Sequence, residues 1–255
     1  MNPYIGITDF TDFGQVQEMS QVFATHQPKG SSRVLHVGVM MSYKTLNSIP
    51  SKWQNAFPSK ERIASIFSSD EGYNCLHYAD YDNNPDLWKN IATAISFGGT
   101  DIHALQLDMI WPDPGEVAHG VHTSRKQIEV ILQIGKNALE EVNNDPQRVV
   151  ERLGDYEGVI HRVLLDKSMG KGLGMDANGL IPFAQAIKES FPTLGIGAAG
   201  GLGPETIQLV APLVTAFPDL SIDAQGRLRP SGNAIDPIDW SMAGNYLIKA
   251  QELFQ

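Results

Sequence analysis

The chain has one cysteine, Cys75, among its 255 residues, so no intrachain disulfide can form. A lone thiol suits a reducing compartment, and the expected location is the cytoplasm. Basic residues are scarce: 19 Lys and Arg stand against 29 Asp and Glu, a formal charge of −10. That sign disfavours nucleic acid and anionic membrane surfaces as partners, because both attract basic proteins. It leaves room for a small anionic ligand held by a few local donors. No apolar run approaches the roughly 18 residues of a membrane span, and Met1-Asn2-Pro3-Tyr4 does not open a basic-then-apolar signal segment. No linker or low-complexity stretch interrupts the sequence, so residues 1–255 read as one domain.

What the sequence does contain is alternation. Short apolar, β-branched runs at 4–8, 34–41, 75–79, 104–109, 128–134, 159–165, 194–198 and 220–224 read as strands. Stretches of helical period follow them, at 12–25, 60–69, 86–95, 115–122, 137–142 with 147–153, 180–190, 205–214 and 240–253. Runs apolar on both faces suit parallel strands covered by crossover helices, which are right-handed. Eight such units in 255 residues fit a (β/α)8 TIM barrel, whose active site lies where strands end and βα loops begin. An open doubly wound sheet is the competing arrangement.

Three late strand ends carry chemistry. After the seventh run comes Ala198-Ala199-Gly200-Gly201-Leu202-Gly203-Pro204-Glu205. Adjacent glycines let backbone N–H groups approach an anion with no Cβ in the way. Pro204 and Glu205 are expected to start a helix whose N-terminal dipole favours negative charge. The eighth run ends in Asp223-Ala224-Gln225-Gly226-Arg227, again with a glycine at the turn. Loops after strands seven and eight are where such barrels often hold phosphate. The plainer reading is two ordinary tight turns. The sixth run ends at Asp166, where a partly desolvated carboxyl can act as a general acid; alternatively it caps the loop or pairs with Lys167 or Lys171. Glycines at 170, 172 and 174 give the following loop freedom to close over a ligand.

The order of these motifs resembles phosphoribosylanthranilate isomerase. Ile5-Gly6-Ile7-Thr8 stands where that family has Cys-Gly-Ile-Thr, and Gln106-Leu107-Asp108-Met109 where it has Gln-Leu-His-Gly. Leu164-Leu165-Asp166-Lys167 resembles its Leu-Leu-Asp-Ser, and Ala199-Gly200-Gly201-Leu202 its phosphate-binding Ala-Gly-Gly-Leu. Gln225-Gly226 falls at its Ser-Ser-Gly. The resemblance implies an Amadori-type rearrangement of a phosphorylated ribosylamine, needing neither cofactor nor metal. It gives Asp166 the general acid's place. It gives Ala199, Gly200, Gly201, Gln225, Gly226, Gly172 and Gly174 to substrate and phosphate. The family's base is a cysteine, at whose position this chain has Ile5. Asp9 is the candidate substitute, with Asp12 beside it, although either can serve as an N-cap. Asp108 replaces a histidine, and Asp223 stands one residue from the family's last-strand Asp, with Ile222 in its register. Lys44 occupies the region of the family's anion clamp.

Other readings stay open. His36, His77, Asp80 and Asp108 could gather round a metal, though their spacing has no local ligand pattern, and backbone-bonded core histidines explain them as well. Lys167 could form a Schiff base as in barrel aldolases, although strand alternation places it opposite Asp166. A non-catalytic barrel binding a phosphorylated metabolite is the third. Tyr246, Leu247, Ala250 and Leu253 form an apolar helix face, packed either on the barrel or on a second copy in a homodimer.

Overall fold

The computed structural model describes residues 1–67, 72–167 and 174–255. Eight strands pair in chain order: β1 (Tyr4–Thr8), β2 (Val34–Ser42), β3 (Tyr73–Ala79), β4 (Ala104–Asp108), β5 (Glu129–Gly135), β6 (Arg162–Asp166), β7 (Gly195–Ala199) and β8 (Ser221–Ala224). All neighbours are parallel, and β8 returns to β1 through Ile5↔Ile222, Gly6↔Asp223 and Ile7↔Ala224. The sheet is therefore a closed (β/α)8 barrel without a free edge, and the open doubly wound alternative is excluded.

Strand alternation sorts the side chains. Outward residues such as Ile5, Ile7, Val37, Leu105, Leu132, Val163 and Ile222 join the helices in the main core. Inward residues Tyr4, Cys75, Ala104, Ile131, Leu164 and Ala199 form a smaller cluster inside the barrel. The axis is filled at the N-terminal end by Arg162, whose Nε donates to Glu129 Oε2 at 2.7 Å and whose guanidinium lies over the rings of Tyr4 and Tyr73. The C-terminal end is left as the mouth.

The helix Phe13–His26 begins at Asp12, whose carboxylate accepts from the N–H of Gly14 in a capping box with Gln15. Asp12 thus takes the structural role. The final helix, Trp240–Leu253, packs on this first one, and Gln251 Nε2 donates to the carbonyl of Phe23. Tyr246, Leu247 and Ala250 are fully buried in the chain's own fold, and Leu253 is partly buried there.

Two expected helices are shorter than their periodicity predicts. The first, expected over 60–69, is a 3-10 turn, Lys60–Arg62, and a single α turn, Ile63–Ile66, with residues 68 and 69 outside the described residues. The second does not start at Pro204: residues 204–206 form a turn, followed by a 3-10 segment Ile207–Val210 and a helix Ala211–Ala216. Pro212 lacks an N–H to donate back along the chain, so it sits in the first turn of the helix Ala211–Ala216, where that donor is not needed. The α-helix after β7 starts only at Ala211, so the dipole contribution expected from a helix beginning at Pro204 and Glu205 is withdrawn.

Candidate active site

The mouth holds a cavity of about 1170 Å³, lined from the ends of β2 through β8. The β7 and β8 loops meet on one side of it. Gly200 and Gly201 have φ of 102° and 69°, left-handed values that a Cβ would strain. Two residues on, Gly203 lies against Arg227 so closely that a Cβ would be 2.7 Å from both the Cβ and the carbonyl oxygen of Arg227. This missing side chain is what lets the two loops touch. Ala199, Gly200, Gly201, Gln225, Gly226 and Arg227 consequently line one continuous wall.

Two carboxylates face in beside that wall. Asp166 pairs in register with Ala199, and Ala199 pairs with Asp223, so the two acids flank one small residue at the same level of the barrel. Asp223 is buried. Its Oδ2 accepts from Thr8 Oγ1 at 2.8 Å, while Oδ1 has no hydrogen-bond partner among the described residues. Burial pushes its carboxyl from an ordinary 3.8 up to about 7, against the pull of the Thr8 hydroxyl and of His77. Such a group exchanges a proton near neutral pH. His36 Nδ1 lies 3.8 Å from Asp223 Oδ1, but burial first, and the charges of His77 and Arg162 after it, take His36 down to about 3. The imidazole is neutral, and the pair is not a salt bridge.

Gly6 makes room for this group. A Cβ on it would lie 2.5 Å from Asp223 Oδ1, 2.9 Å from His36 Nδ1 and 3.1 Å from the carbonyl of Ile222. Overpacking of this kind costs about 1–3 kcal/mol. Gly6→Ala is expected to lose that amount in urea denaturation, and an unchanged midpoint would mean that the carboxylate yields freely.

On the far side, His77 lies inside β3 with Nε2 3.4 Å from Asp108 Oδ2, and that oxygen also accepts from the hydroxyl of Tyr81. Burial alone lowers the affinity of His77 for a proton, but the carboxylates of Asp108, Asp223 and Asp9 together outweigh it and its pKa is raised. Gln106 Nε2 donates to Gln133 Oε1 at 2.9 Å and lies 3.2 Å from His77 Nδ1.

The residues singled out from sequence divide clearly. Asp166, Asp108, Lys44, Ala199, Gly200, Gly201, Gln225 and Gly226 line the one cavity. Lys44 Nζ is 3.7 Å from Asp82 Oδ2, an exposed pair. Asp9 is not in the lining. Its Oδ2 accepts from Arg229 Nη2 at 2.5 Å and from Gln225 Nε2 at 2.9 Å, so the carboxylate is committed to holding the β8 loop. Gly174 is exposed and is not among the residues lining the cavity, while Gly172, with Gly170 and Lys171, lies outside the described residues.

Ile5 points outward into the helix layer, and the inward neighbour is Gly6. Its isoleucine therefore says nothing about a base inside the barrel, and it is Asp223, not Ile222, that faces in. Lys167 Nζ donates to the carbonyl of Gly179 and lies over the Phe183 ring, on the helix side of β6, as alternation required. His103 and His161 each accept a backbone N–H, from Asn74 and Val130. Among the described residues no three His, Cys, Asp or Glu side chains are gathered as a metal would need. No helix among them is long and apolar enough to cross a membrane.

No protein-family model matches the chain, and no curated protein matches it. Solved structures do. The active domain 2 of a thermostable chitinase from Pyrococcus furiosus is similar with a TM-score of 0.59 at 12% identity, over 100% of this chain and 97% of that one. The methylaspartate ammonia lyase of Citrobacter amalonaticus matches at 0.51 and 11%, over 98% of this chain and 57% of that one. The carboxyl transferase domain of Rhizobium etli pyruvate carboxylase matches at 0.53 and 13%, over 99% and 48%. The chain thus spans about half the length of the last two. None of the three is a phosphoribosylanthranilate isomerase, and at such identities the likeness establishes the fold alone.

Proposed function

We propose that the mouth of this barrel is the active site of an isomerase for a small phosphorylated sugar or ribosylamine. The observation that carries the reading is the convergence of two things at one wall: the glycine turns after β7 and β8 with Arg227, and two carboxylates flanking Ala199. A phosphate at Gly200, Gly201 and Gly226 takes backbone donors and the guanidinium charge. The carbon chain then passes between Asp166 and Asp223. In the Amadori-type sequence, Asp166 gives its proton to the ring oxygen as the C1–O bond breaks and an imine forms. Asp223 then accepts the proton from C2, leaving the enamine that tautomerises to the aminoketone. A carboxyl near 7 is matched to that second task. The resemblance of Leu164-Leu165-Asp166 and Ala199-Gly200-Gly201-Leu202 to phosphoribosylanthranilate isomerase supports the same assignment.

The reading is tested by thermal melting with ribose 5-phosphate, inorganic phosphate and unphosphorylated ribose. A ligand at ~100 times its dissociation constant stabilises the fold by roughly 2.7 kcal/mol. The phosphorylated compounds are expected to raise the midpoint, and ribose to leave it unchanged. Gly201→Asp, which adds a Cβ at a φ of 69° and a negative charge to the glycine turns, is expected to abolish the shift. Equal shifts in the variant, or none in the native protein, overturn the proposal.

A further inference from the structure

The cavity has a second polar wall, opposite the glycine turns. In a closed ring of eight strands, β3 and β4 lie across the axis from β7 and β8. From that side comes a hydrogen-bonded chain that runs from the barrel interior to the surface of the mouth. His77 is buried on β3, Asp108 ends β4, and Tyr81 follows β3 with 58% of its surface exposed. All three line the cavity.

The orientation of this chain fixes what it can bind. Tyr81 Oη donates its only proton to Asp108 Oδ2, and the same oxygen faces the imidazole of His77. With its proton so committed, the phenol oxygen offers lone pairs to the cavity and accepts from a ligand donor. Asp108, anchored from beneath by His77, polarises the phenol and strengthens that acceptor, since a chain of hydrogen bonds ending on a charge is cooperative. Asp166, the acid assigned to the reacting end, lines the same cavity as Tyr81.

We infer that Tyr81 is a specificity-determining residue that reads a hydroxyl group of the substrate at the end remote from its phosphate, with Asp108 and His77 as its positioning residues. The inference rests on the phosphate reading of the β7–β8 wall. It adds that the ligand spans the axis, so the class selected is a polyhydroxylated phosphate ester with a free hydroxyl distant from the phosphate. Inorganic phosphate alone engages one wall; a sugar phosphate engages both.

Calorimetric titration of the native protein and of Tyr81→Phe with inorganic phosphate and with ribose 5-phosphate separates the two walls. The native protein is expected to bind ribose 5-phosphate at least tenfold more tightly than inorganic phosphate. In Tyr81→Phe, whose exposed position makes the fold tolerant of the change, that ratio is expected to fall about tenfold while inorganic phosphate binds as before. Asp108→Asn keeps an acceptor for the phenol and removes the charge, so its ratio should fall between the two. A ratio unchanged in Tyr81→Phe, or a native ratio near one, overturns the inference and leaves the phosphate site standing. No binding of either compound overturns the phosphate reading itself.

Discussion

Asp9→Ala is expected to cost about 3–5 kcal/mol of folding stability, the usual effect of removing one partner from a buried ion pair. Both side chains of the Asp9–Arg229 pair are buried, at 5% and 3% exposure, and they approach to 2.5 Å. Arg229 donates further to the carbonyls of Gln225 at 2.8 Å and Asp236 at 2.5 Å. Its place is thus fixed by the fold, and it cannot swing out to find water when the carboxylate is gone. Asp9 itself stands at a φ of 95°, a conformation costly for a residue with a Cβ. The backbone is held there because the N–H groups of Asp9 and Phe10 both donate to the carbonyl of Gly38. Asp9→Asn keeps an oxygen for Gln225 and isolates the charge effect. Guanidinium denaturation of the three proteins tests the account: a loss under about 1 kcal/mol in Asp9→Ala would show that the pair is not a fixed clamp.

The second large effect concerns Asp223 and pH. The folded carboxyl titrates at about 7 and the unfolded one at its ordinary 3.8. Between those values the folded chain holds a proton that the unfolded chain has released. Stability therefore falls as pH rises through that window, and the loss is complete above 7. The displacement caps the effect at about 4 kcal/mol, and relaxation around the ionised carboxylate brings the expectation to about 2 kcal/mol. His77, whose pKa is raised, adds in the same direction: its stabilising charge is lost as pH rises beyond 6.5 through its folded value. Asp223→Asn stays neutral throughout and keeps an acceptor for Thr8. It is expected to be more stable than the native protein at pH 8 by about 2 kcal/mol, with little difference at pH 4. Urea midpoints at the two pH values decide this, and a variant less stable at pH 8 would refute the buried-acid assignment. Such a gain is what a proposed reacting group held at the fold's expense is expected to give.

The barrel was readable because its strands are short runs apolar on both faces, each followed by a helical period. That same property hid the interior. In Val34–Ser42 or Arg162–Asp166 a buried outer face and a buried inner face look alike, so the sequence does not reveal that His36 and Arg162 point inward with Gly6 and Glu129. For the same reason the sequence does not reveal that Ile5, at the position of the family's base, points outward. The glycine turns were legible because their chemistry is local. Their union through Gly203 and Arg227 was not, nor was the Asp9–Arg229 pair, whose members lie 220 residues apart. Asp223 had a usable signal, since it is two residues before Gln225 and so shares a strand face with the predicted phosphate loop. Tyr81 had none: an exposed aromatic after a strand looks like any loop residue.

In the proposed reaction, Asp166 and Asp223 move protons on a ligand held by its phosphate. It is tested most directly by incubating the protein in deuterium oxide with an N-aryl ribosylamine 5-phosphate and following the C2 proton by NMR. The account predicts that the C2 proton is lost as the aminoketone forms, and that Asp223→Asn stops the loss while still binding the ester. A bound ester that keeps its C2 proton indefinitely would contradict it.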